Sequence, residues 1–161
     1  EPKNGEAPTQ ATEVRVLTDG ETLFIGFRGF DDEPNEIVAN RMARSELFFY
    51  DDYFSINLDT FRDHRSGFFF QINPVGGRRD ATFEGDLFEE NWDGIWYAKA
   101  RIVESGWVGE IAIPFKTLGF VEDLANSDVF VIGSHFSDPT GGWIVRDDSG
   151  CRLAQQPAEK K

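Results

Sequence analysis

The residues able to do chemistry in this 161-residue chain are mostly carboxylates, and they come in clusters. Asp31-Asp32-Glu33 and Asp51-Asp52 set hard oxygens side by side, and the stretch 84–93 holds five acids and no base. Carboxylates without accompanying Cys or His suit Ca²⁺ rather than zinc or copper. Asp31, Asp32, Asp51 and Asp52 are therefore the expected ligands of a structural calcium ion. The competing reading is that Asp after an apolar strand is ordinary turn chemistry. His64 and His135 are the two imidazoles, the first in the charged turn Arg62-Asp63-His64-Arg65 and the second late in an apolar run. HExxH, GxSxG, Walker and EF-hand spacings are all missing. With 29 acids, any carboxylate pair of the kind that cleaves glycosides is unspecific, so no catalytic residue is assigned. Cys151 is the single cysteine, which removes an internal disulfide or a thiolate-rich metal site.

Four tryptophans complete the chemical inventory. Trp96 and Trp107 lie in alternating apolar runs and are expected in the core. Trp92 follows the acidic stretch and Trp143 follows Gly141-Gly142, positions where a flat ring can face outward and stack on the apolar side of a sugar. Asn57, Arg62 and Asp138 are the polar groups expected to bond sugar hydroxyls beside them. The alternative for either ring is a half-buried indole sealing the edge of the fold.

These residues need a scaffold, and the hydrophobic pattern supplies one with period two. Val14 and Val16 alternate before Asp19-Gly20, and Leu23, Ile25 and Phe27 after it, a tight hairpin pattern. Further strands are expected over Tyr53–Asp59, Gly67–Asn73, Arg78–Phe83, Trp96–Ile102, Trp107–Ile113, Asp128–Phe136 and Gly142–Arg146. Only Ile37–Leu47 and Phe115–Phe120 allow short helical turns. Eight to ten strands predict an all-β, antiparallel β-sandwich in a single domain over 12–153, with polar tails at 1–11 and 154–161. Sixteen phenylalanines and one methionine imply a core filled with rigid rings.

The net charge of −13 repels phosphate backbones and anionic bilayers unless the arginines are segregated on one face, so neither nucleic acid nor membrane is an expected partner. No apolar run approaches the roughly 18 residues of a membrane span. The sequence begins at Glu1 and its methionine is Met42, as in a processed or trimmed chain.

Several segments, taken together, resemble a known family. They are Thr12-Glu13-Val14-Arg15-Val16-Leu17, Leu23-Phe24-Ile25-Gly26, Asp51-Asp52 leading to Leu58-Asp59-Thr60, and Phe70-Gln71-Ile72-Asn73-Pro74-Val75-Gly76 with Arg79-Asp80. Trp92-Asp93 with Trp96, and Gly106-Trp107 with Glu110, Ile113-Pro114-Phe115 and Leu118, continue the pattern. The resemblance is to family 9 carbohydrate-binding modules, especially the version at the N-terminus of bacterial outer-membrane proteins of unknown function. It covers roughly Glu6 to Phe120. It implies a jelly-roll-like sandwich, a periplasmic or extracellular location, structural calcium and no catalysis. The family's opening strand is missing ahead of Glu6, and the segment after Phe120 matches poorly. Two functions follow as expectations: a non-catalytic polysaccharide-binding domain, or an accessory subunit that docks onto a larger membrane-associated or extracytoplasmic complex.

Overall fold

The computed structural model describes residues 10–45, 47–48, 50–61 and 63–119, together with the backbone pairing of 133–135 and 142–144. Among the described residues there are ten strands: β1 (Thr12–Thr18), β2 (Thr22–Phe30), β3 (Phe54–Leu58), β4 (Ser66–Ile72), β5 (Arg78–Glu84), β6 (Leu87–Glu89), β7 (Tyr97–Val103), β8 (Gly106–Pro114), β9 (Gly133–His135) and β10 (Gly142–Ile144). They form two four-stranded antiparallel sheets, ordered β1-β2-β8-β7 and β3-β4-β5-β6, plus the β10-β9 pair. The all-β sandwich expected from the period-two pattern is the observed fold.

The first hairpin turns at Asp19-Gly20 as its sequence requires. Gly20 has φ +92°, and the Asp19 carboxylate accepts the N–H groups of Glu21 and Thr22 at 2.9 and 2.8 Å. Those two bonds favour the ionised carboxyl and hold its pKa below the ordinary value. Leu23, Ile25 and Phe27 of β2 then face inward, and so do Phe54, Ile56 and Leu58 of β3. The rings meet between the sheets: Phe27 stacks on Phe54 at 3.9 Å, Trp107 meets Phe27 edge-on at 4.8 Å, and Trp96 meets Phe70 edge-on at 5.2 Å. Trp96 and Trp107 are 2% and 1% exposed, the core position their apolar context implied.

Two features differ from the sequence reading. Residues Pro34–Glu36 and Phe115–Thr117 make single 3-10 turns, but the described part of 37–47 has no helix. That loop is instead pinned by side chains. The buried Asp51 carboxylate accepts the N–H groups of Asn40 and Arg41 and the amide of Asn73. Arg44 reaches the buried Asp80 carboxylate at 3.2 Å, the Gly94 carbonyl at 2.7 Å and the Asp93 carboxylate. The second difference is β6, a three-residue edge strand inside the acidic stretch, which is too short and too exposed to show period two.

Candidate functional site

The outer face of the β1-β2-β8-β7 sheet carries an open concave surface. Register fixes which side chains are neighbours there. Arg15 lies opposite Gly26, Gly26 opposite Glu110, and Glu110 opposite Lys99, giving one row across four strands. The row on one side reads Glu13, Arg28, Val108, Arg101, and the row on the other side reads Leu17, Phe24, Ala112, Tyr97. Rows on one face repeat about every 6.6 to 6.8 Å along a strand. Each row has one small or short residue on a central strand, Gly26, Val108 or Ala112, and its longer neighbours border the low place that this leaves.

Two adjoining open hollows result, of about 620 and 850 Å³, which share Arg15, Gly26, Lys99 and Glu110. Gly26 forms their common floor; a side chain added there would meet nothing within 4 Å. Phe24 and Tyr97 are 40% and 63% exposed and flank Ala112. Two strand spacings put their backbones about 10 Å apart. A flat apolar ring can enter that slot, with a hydroxyl on Tyr97 and a carboxylate on Glu110 within the same surface. Arg28 is held in position by its ring neighbour Phe30, 4.7 Å away, and by donating to the Ser105 hydroxyl at 2.7 Å.

The residues singled out by sequence distribute otherwise. Trp92 is half-buried against the core rings Phe68 and Phe70, at 5.1 and 5.9 Å. Asn57 lies on the opposite, outer face of that sheet, paired with Phe69. The two therefore share no surface. Trp143 is placed only by its backbone in β10, and Arg62 and Asp138 lie outside the described residues. Asp31 accepts the N–H of Glu33, and Asp52 accepts that of Val38. Among the described residues, which include all four carboxylates expected to bind calcium, no group of three or more His, Cys, Asp or Glu could hold a metal ion. His64 is 74% exposed, 3.9 Å from Asp59, and the Ser66 hydroxyl donates to Asp63 rather than to His64.

The outer face of the second sheet offers a different surface. Arg79 stands over Phe69 and Phe88, at 5.5 and 5.7 Å, and donates to Glu90 at 2.5 Å. Burial pushes the nearby Tyr53 hydroxyl's pKa up, and Arg79 partly opposes this. The charge on this platform is already neutralised by its own carboxylate.

No family model matches the chain, and no curated protein matches it significantly. Among solved structures, the fold is similar to the crystal structure of a "putative carbohydrate-binding protein" from Bacteroides uniformis, with a TM-score of 0.59 at 9% sequence identity. The match covers 79% of this chain and 63% of that one. The likeness is one of fold, a β-sandwich.

Proposed function

We propose that this chain is a non-catalytic carbohydrate-binding domain, related to the family 9 modules and working outside the cytoplasm. The observation that carries the reading is the groove on the β1-β2-β8-β7 sheet, where exposed Phe24 and Tyr97 flank a small residue beside rows of hydrogen-bonding side chains. Aromatic walls with a few placed polar groups are what a small or polymeric sugar needs. The similar fold of a protein described as carbohydrate-binding supports it, while function itself is argued from the site.

Calorimetry and affinity electrophoresis against a polysaccharide panel test it. Gly26→Phe should abolish binding by filling the groove floor; a Cβ there meets nothing within 4 Å, and circular dichroism checks that the variant folds. Tyr97→Ala should weaken binding about tenfold, as loss of one stacking ring does. If both variants bind as the parent does, this face is not the site; if the parent binds no glycan, the function is wrong. Calcium binding by this chain is a separate proposal that rests on the hardness of its many carboxylates; Asp31, Asp32, Asp51 and Asp52 do not converge on one ion. Native-state binding raises stability by mass action, so a higher melting point in calcium than in EGTA supports it and an unchanged one removes it.

A further inference from the structure

We infer that the groove binds an acidic polysaccharide, a polymer whose sugars carry carboxylates, and this rests on the carbohydrate-binding reading above. The chain has 29 acids and 16 bases, yet the hollow across the two charged rows is lined by four cations, Arg15, Arg28, Lys99 and Arg101, and two carboxylates, Glu13 and Glu110. The sign of the surface is thus reversed locally. Arg15, Lys99 and Arg101 are exposed and make no ion pair within 4 Å among the described residues, in contrast to Arg44 and Arg79, which are neutralised by Asp80 and Glu90. Lys99 is directly opposite Glu110, so the row retains a carboxylate that can accept sugar hydroxyls while Arg15 and Lys99 stand at its ends.

Guanidinium forks match carboxylates in two parallel hydrogen bonds, and cations spread over neighbouring rows suit a polymer with repeated charges better than a single small anion. The Phe24–Tyr97 slot in the next row would hold a sugar ring by its apolar face. Nucleic acid has the same sign of charge, but single strands are held by stacking successive bases on a series of rings, whereas the charged rows of this groove carry none and the adjoining row offers the single Phe24–Tyr97 slot.

The full chain is titrated with polygalacturonate, with the same polymer after reduction of its carboxyls to alcohols, with neutral glucans and xylans, and with single-stranded DNA. Polygalacturonate should bind about tenfold more tightly than its reduced form at low salt and lose that advantage as salt screens the charges. The double variant Lys99→Glu with Arg101→Glu should remove the preference. Lys116→Glu, a charge change of the same sign at an exposed position outside the groove, should leave it within about twofold, as expected for a distant screened charge. Circular dichroism of each variant confirms folding. Equal affinity for the charged and reduced polymers, or DNA bound as tightly as polygalacturonate, overturns the inference. Binding of neutral glycans alone overturns it and leaves the carbohydrate-binding reading standing, whereas binding of no glycan removes both.

Discussion

Asp63 shows how much a single exposed carboxylate can do in this fold. It accepts the Ser66 hydroxyl and the N–H groups of Ser66 and Arg65, which pull its pKa from 3.8 down to about 2 and shape the turn into β4. A depressed carboxyl stabilises the native state above its unfolded pKa, and the contribution fades as pH falls from 3.8 toward about 2. The melting-point gap between the parent and Asp63→Asn should accordingly be full at pH 5 to 7 and close over that acid window. Arg44 is a different case, because its partner Asp80 is 1% exposed. Arg44→Ala leaves that carboxylate with the Gly94 N–H as its remaining donor and should cost about 1 to 3 kcal/mol in urea unfolding. Trp92→Ala should cost about 3 kcal/mol through lost contact with Phe68 and Phe70, with any glycan affinity unchanged. The sequence context of Trp92, an acidic loop, left it open between an outward ring and a half-buried indole, because a ring's direction depends on where the loop folds back; the structure takes the second. Trp96 and Trp107 were legible because each sits in a period-two run whose apolar side has only one place to go.

Among the described residues strands were read well wherever alternation lasted five residues or more, and the Asp19-Gly20 hairpin carried its own turn chemistry; the expected strands over 128–136 and 142–146 lie largely outside the described residues. The groove was not legible, for a reason of geometry. Period two says that Arg15, Gly26, Lys99 and Glu110 face outward, but only the pairing of β2 with β8 makes them neighbours. That pairing depends on a close approach at Gly109, where an added Cβ would stand 2.4 Å from the Phe27 ring. Phe27 cannot yield, since it is stacked on Phe54. Gly109→Ala is therefore expected to cost about 1 to 3 kcal/mol by overpacking, measured by urea unfolding, and to weaken binding by shifting β8 against β2.

At the scale of the molecule, the excess of 13 negative charges acts on stability as well as on partners. Self-repulsion weakens a compact state, and raising salt from 10 to 150 mM shortens the screening length from about 30 to about 8 Å. The melting point should rise over that range even as binding of a polyuronate falls, so the two trends run in opposite directions in one titration series. The strand order carries one more consequence. The β3-β4-β5-β6 sheet is a continuous meander, while the sheet bearing the groove is assembled from two hairpins, β1-β2 and β7-β8, that bracket the meander in sequence. Joining β2 to β8 closes a loop of the whole intervening chain, the kind of distant contact that slows folding. In a refolding experiment with the other three tryptophans replaced by Phe, the fluorescence of Trp92, which packs on Phe68 and Phe70 of the meander, should therefore recover before ligand capture does, and the binding face serves as a built-in clock that reads only when the last seam has shut.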